Sequence, residues 1–190
     1  MYHFITASKD ASIYLQQPSQ NTGLDEVLEV SKTYYGSLKD IARSFIQFDI
    51  TNLSSSIING DIDLTTAELI LKECESSEIP LSYSIYAHPV SQSWEMGTGT
   101  RFDNLTTNGA SWYYRNGDNT STIWYNTMDG ITASYSAGVY GNPTGLGGSW
   151  YTDTTSTQSF NYTLEDINLD VTQFLLDWYS GSYHNNGLII

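Results

Sequence analysis

The sequence is short of positive charge. Lysine and arginine number 7 against 21 aspartate and glutamate, a net charge of -14. Nucleic acid and anionic membranes are met by basic patches, so neither partner is expected. A diffuse acidic surface keeps a protein soluble and apart from DNA. Cysteine is nearly missing. Cys74 stands alone, so no disulfide can form within the chain, and its simplest role is a small residue on a β-strand. Such a chain suits a reducing cytosol, or release by lysis or a non-classical route. Long apolar runs are absent as well: no segment reads as a bilayer-crossing helix. Met1-Tyr2-His3-Phe4-Ile5 has no basic region leading into an apolar one, so no signal peptide is read there. Histidine is sparse and scattered, at His3, His88 and His184, without the spacing of a metal triad.

What the chain does have is aromatics and alternation. Aromatics make up 14% of the residues, with 15 tyrosines and 5 tryptophans. A disordered acidic chain would be poor in these, so this one folds. At 190 residues a single domain with a sizeable core is expected. Ala11, Ile13 and Leu15 alternate with Ser12, Tyr14 and Gln16; Leu28 and Val30 repeat the pattern. Ile46, Phe48 and Ile50 alternate with Phe45, Gln47 and Asp49, and Ala67, Leu69 and Leu71 with Glu68, Ile70 and Lys72. Leu81, Tyr83, Ile85 and Ala87 alternate with Ser82, Ser84, Tyr86 and His88. Period-two alternation predicts antiparallel sheets on a shared core, an all-β sandwich of jelly-roll-like type. Gly187-Leu188-Ile189-Ile190 reads as a further strand. One helix is predicted over Asp170–Ser180. Asp170-x-x-Gln173 has capping-box spacing, Val171, Phe174, Leu175 and Trp178 share a helical face, and Gly181 is the stop. Trp178 would anchor this helix to the sandwich.

From Glu95 to Ser159 the composition changes to Gly, Asn, Thr, Ser, Trp and Tyr. This insert is expected at one end of the single domain 1–190, as short strands or ordered loops, because long loops that are ordered tend to be functional. Its aromatics, Trp112, Tyr113, Tyr114, Trp124, Tyr125, Trp150 and Tyr151, suit three roles: a mini-core holding the loops, a protein interface, or a platform for sugar rings. Asp118, Asp129 and Asp153 could supply oxygens to calcium, though no loop has the regular calcium-loop spacing, and solvated loop acids are the plainer reading. The pairs Glu73/Glu75, Asp61/Asp63 and Glu165/Asp166 lie close in sequence, but glycoside cleavage needs two carboxyls facing each other across a sugar. No enzyme is expected from them.

Taken in order, Asp10-Ala11-Ser12-Ile13, Arg43-Ser44-Phe45-Ile46-Gln47-Phe48-Asp49-Ile50, Ala67-Glu68-Leu69-Ile70-Leu71, Trp94, Leu169-Asp170-Val171-Thr172, Trp178 and Asn186-Gly187-Leu188 resemble the DNRLRE domain. The likeness covers roughly 8–94 and 166–190. It implies a β-sandwich of secreted and cell-surface proteins, with relatives among carbohydrate-binding modules for marine acidic polysaccharides. Arg43 matches the family's arginine, and is expected to pair with Asp49 or Asp10 at a sheet edge. Phe48, Trp94, Asp170 and Trp178 are expected to be structural. A narrower likeness, through Leu24–Lys32 and Trp94–Asp103, is to virion structural proteins of marine tailed phages.

The expectation is therefore a non-enzymatic virion component of the neck, tail, fibre or capsid exterior. It would assemble in the host cytoplasm with other virion proteins or copies of itself, and be extracellular after release. The alternative is a carbohydrate-binding module. No cofactor is expected, apart from the possible calcium.

Overall fold

The structure is a computed structural model. It describes residues 3–36, 38–60, 62, 64–74, 80–119, 122–124, 127–128, 131–133, 147–161 and 165–190. In chain order its elements are β1 (Ala7–Tyr14), β2 (Ser31–Tyr35), β3 (Leu38–Phe48), α1 (Thr51–Ile58), β4 (Glu68–Leu71), β5 (Ser82–Pro89) and β6 (Thr127–Met128). There follow β7 (Ile131–Ala133), β8 (Ser149–Tyr151), β9 (Ser156–Asn161), β10 (Ile167–Asp170), α2 (Thr172–Ser180) and β11 (Leu188–Ile189).

The main sheet runs β1-β3-β11-β5-β9, with β2 also on β3. Every pairing in it is antiparallel. Ala42 pairs with both Tyr14 and Ser31, and Ile46 with both Asp10 and Leu188. So β1 takes one edge of β3, while β2 and β11 follow one another along the other.

Alternation then builds a core on each face. Ala11, Ile13, Phe45 and Ile189 turn to one side, where Trp94, Ala110, Trp112 and Trp124 cover them. Ile46, Ala87 and Leu188 turn to the other side, beneath Leu69 of β4, Leu169 of β10, and Phe174, Leu175 and Trp178 of α2. The result is an all-β antiparallel sandwich. β4 and β10 pair with each other as the second sheet. Gln158 of β9 joins the two sheets: its side chain accepts the Asn168 N–H at 2.6 Å and donates to the Asp166 carbonyl at 3.2 Å.

The predicted helix is present, but starts at Thr172. Asp170 Oδ1 accepts the Thr172 N–H at 2.9 Å, whereas Gln173 reaches forward to Asp177 at 2.9 Å. The capping box is thus not formed, because Asp170 still belongs to β10 and caps from two residues upstream. Gly181 ends the helix in the left-handed conformation, at φ 77°. A second helix, α1, was not expected. It begins on the same device: Asp49 Oδ1 accepts the Thr51 N–H at 3.0 Å. Asp49-Ile50-Thr51 and Asp170-Val171-Thr172 are the same turn out of a strand, used twice. Cys74 is exposed and lies beyond β4 rather than in a strand.

The 95–159 segment is not an appendage at one end. Its first part lies over the main sheet and fills the first core, and it also supplies β9's first four residues to that sheet.

Candidate functional site

The aromatics of this segment do not form one platform. Trp112 and Trp124 are 0% and 1% exposed. Trp124 stacks on Phe45 at 5.0 Å and 5°, and its indole N–H donates to the Ser111 carbonyl at 2.9 Å. The expectation that Trp112 and Trp124 meet a partner or a sugar is corrected by this burial: they are the filling between the main sheet and its cover. Trp150 is half-buried and stacks on His88 at 5.6 Å. Tyr113 packs against the same core and meets Tyr114 edge-on at 6.1 Å. Tyr151, half-buried, stacks face to face on Tyr183 at 3.7 Å, and the Tyr183 hydroxyl donates to Asp153. Burial, then that hydrogen bond, pushes the Tyr183 phenol up to about 12. Tyr125 lies outside the described residues.

Arg43 is structural, but not through Asp10 or Asp49. Its guanidinium lies over the rings of Trp112 at 4.8 Å and Trp150 at 5.2 Å, and donates to the Gly147 carbonyl at 2.8 Å. Register explains the difference. Asp10 pairs with Ile46, three residues from Arg43, so the two side chains leave opposite faces of the sheet. Asp49 is six residues away, roughly 20 Å along an extended strand. Of the other expected structural residues, Phe48, Trp94 and Trp178 sit in or against the cores, while exposed Asp170 holds the start of α2 through the Thr172 N–H. Trp94 is 1% exposed and donates to the Asn186 carbonyl at 2.8 Å, and Phe48 packs against the second core with Trp178.

Among the described carboxylate candidates, Glu73 and Asp166 meet, through the Glu73 N–H. Asp118 lies in hydrogen-bond range of Thr107 at 3.4 Å, and Asp153 accepts from Tyr183. Asp166 is held low by hydrogen bonds from Lys72 and the Glu73 N–H, an exposed ion pair. Asp61, Asp63, Glu75 and Asp129 lie outside the described residues. Among the described residues no three His, Cys, Asp or Glu come together as a metal site. His3 and His184 are exposed, and His88 is partly buried with its pKa lowered by desolvation.

A different feature escaped the sequence reading. Asn21 is 0% exposed and ties two loops together. Its Oδ1 accepts the Gly99 N–H at 2.8 Å, and its Nδ2 donates to the carbonyls of Met96 at 2.7 Å and Ala110 at 2.9 Å. Its backbone N–H donates to the Thr106 carbonyl at 2.9 Å. The zip continues outward. The Leu24 N–H donates to the Gly99 carbonyl at 2.9 Å, and the Arg101 N–H to Asp25 Oδ1 at 3.0 Å. The Arg101 guanidinium pairs with Glu29 and lies 4.0 Å over Tyr14. Burial, then the Glu29 charge, pushes the Tyr14 phenol up to about 12.

This clasp carries exposed apolar side chains: Phe102 at 87%, Leu105 at 68%, and Leu24 and Val27 at 53% each. A hollow of about 340 Å³ lies beside it, lined by Gln17, Pro18, Ser19, Gln20, Arg101, Asp103 and Leu105. The signal available in the sequence was the run Gly97-Thr98-Gly99 with Gly109, close-approach glycines awaiting a buried partner.

Comparison with protein-family models, curated proteins and solved structures returns no match to this chain.

Proposed function

We propose that the chain is a non-enzymatic assembly protein, and that the clasp of loops 21–29 and 99–106 is its contact surface. The observation that carries this reading is the exposure of Leu24, Val27, Phe102 and Leu105 on loops pinned by a buried asparagine. Apolar side chains exposed together cost free energy unless a partner covers them. Loops fixed in advance lose little entropy on docking, so such a surface binds efficiently. Three of the four anchors are aliphatic and offer no flat ring to a sugar, which favours a protein neighbour. The setting implied by the resemblance is the exterior of a tailed-phage particle, where the chain would meet other virion proteins or its own copies.

The test is quantitative mass spectrometry of washed particles from the system that makes this chain, with wild type and with the Phe102→Ser/Leu105→Ser double variant. Stoichiometric wild-type chain, with the folded variant left in the soluble fraction, supports the reading. Wild-type chain absent from particles sinks the virion setting, and equal incorporation of the variant sinks the clasp as the contact.

A further inference from the structure

A second hollow, of about 780 Å³, lies where the start of β1, the end of β3, α1 and the turn before β11 meet. Phe48, Ile50 and Trp178 give it an apolar wall. The amides beside them are already tied down. Gln47 Nε2 donates to the Asn185 carbonyl at 2.6 Å, and Asn185 Nδ2 to the Phe48 carbonyl at 2.8 Å. The Trp178 indole is not. This residue is 9% exposed, and its N–H is shielded from solvent without a hydrogen-bond partner among the described residues. Buried indole N–H groups normally find an acceptor. The wall therefore lacks both an acceptor and an apolar cover.

Ser8 of β1 stands on the rim of this hollow. Shortly before it, His3-Phe4-Ile5-Thr6 forms an exposed arm, with Phe4 at 90% and Ile5 at 39%. Its own chain's hollow is out of the arm's reach without a reverse turn. Ala7 pairs with Phe48, so the arm leaves the sheet at the hollow's edge and would have to double back within Phe4–Ala7. That stretch has no Gly, Pro, Asn or Asp to make the turn, and Ile5 and Thr6 are β-branched and stiff. The hollow of a second copy sets no such requirement. Charge points the same way. The chain has a net charge of -14, yet no residue before Asp10 is acidic. The arm can therefore approach Asp49 on another copy's rim, where most of so acidic a surface would be repelled.

We propose that two copies of the chain exchange these arms, each seating its Phe4 in the other's hollow. The phenyl ring covers Phe48, Ile50 and Trp178. A backbone carbonyl of the arm accepts the Trp178 N–H, and the His3 ring donates an N–H to the Asp49 carboxylate. The hollow's wall is fixed before the arm enters, so little order is lost in receiving it. Arm and hollow are neighbours on each chain, so one two-fold axis makes both contacts at once and closes the assembly as a dimer. The inference stands on a different surface from the clasp, so either can fail alone.

The experiment is sedimentation velocity of the full chain from about 1 μM to about 300 μM. Wild type should pass from monomer to dimer across this range. Phe4→Ser removes the plug, and Ser55→Arg, on the α1 side of the hollow, blocks the socket. Both positions are exposed, so each variant should keep the wild-type melting temperature. Each should nonetheless weaken the dimer about tenfold or more. Phe102→Ser should dimerise like wild type. Wild type that stays a monomer at every concentration would overturn the proposal. So would a dimer that Phe4→Ser or Ser55→Arg leaves intact. A dimer that Phe102→Ser dissolves would overturn it too, by giving the contact between copies to the clasp.

Discussion

Asn21 and Gly99 are joined twice over. The Asn21 side-chain oxygen accepts the Gly99 N–H at 2.8 Å, and a β-carbon on Gly99 would stand 2.3 Å from the Asn21 carbonyl oxygen. A buried asparagine here does the work of a peptide unit, offering an acceptor to one strand of loop and donors to another. Glycine is required opposite it because two backbones pass too closely for a side chain. Through this pair a loop over the first core is fixed to the start of the chain, and the exposed residues of the clasp inherit that order.

Asn21→Ala should therefore be among the most damaging single changes. It leaves the Gly99 N–H and the carbonyls of Met96 and Ala110 without this side-chain partner around a buried position, and each such group costs about 1–3 kcal/mol. A loss of about 3–5 kcal/mol is expected from urea unfolding. Asn21→Asp should do no better, since it turns a carboxylate oxygen toward two carbonyls. A loss under about 1 kcal/mol would mean that the clasp is held by something else.

Trp124→Ala should unfold the protein rather than release it from a partner. The ring is buried and stacked on Phe45, so its removal empties a core site at about 3–5 kcal/mol. Phe102→Ser, at an exposed position, should shift stability by no more than about 0.5 kcal/mol. Thermal melts of the two variants side by side separate core aromatics from surface ones. Equal melts would contradict the placement of both rings.

Much of this architecture is legible in the chain, for a physical reason. β1, β4 and β5 have one apolar face each, and alternation announces it; β3 is apolar on both, with Phe45 in one core and Ile46 in the other. β9 is missed because its exposed positions are Thr157, Ser159 and Asn161, which look like loop. α1 is missed because Thr51-Asn52-Leu53-Ser54-Ser55-Ser56 carries little helix propensity, although the Asp-x-Thr turn before it repeats the one before α2. Trp112 and Trp124 stand among Gly, Asn and Ser, and so leave a mini-core, an interface and a sugar platform all open. What hides their burial is that the complementary half of that core, Ala11, Ile13 and Phe45, lies more than sixty residues earlier. Tertiary placement of this kind leaves no local periodicity.

Arg43→Lys tests whether shape or charge matters at the rim of that core. The guanidinium lies over both Trp112 and Trp150 and reaches the Gly147 carbonyl. An ammonium keeps the charge but cannot lie flat on two rings. A destabilisation of about 1–2 kcal/mol is expected, with altered tryptophan fluorescence as Trp150 loosens. Full retention of stability and of the spectrum would show that a point charge is enough.

His88 gives a dependence on pH whose sign follows from its burial. Desolvation lowers its pKa below the unfolded value of 6.5, against smaller opposing contributions from the carbonyls of Thr154 and Tyr151. The unfolded chain therefore takes up a proton that the folded chain refuses. The stability from a neutral His88 is fully present above pH 6.5 and falls as pH drops through the lowered folded value. Asp49, Asp166 and Asp170 are held low by Thr51, Lys72 and Thr172, so their contributions disappear only further into acid. The urea midpoint of wild type should thus fall between pH 6.5 and pH 5, while that of His88→Gln stays flat across the same window. A wild-type midpoint that does not move there, or a variant that moves equally, would place the titrating group elsewhere. Because His88 stacks on Trp150, the same titration followed by tryptophan fluorescence reads its protonation directly.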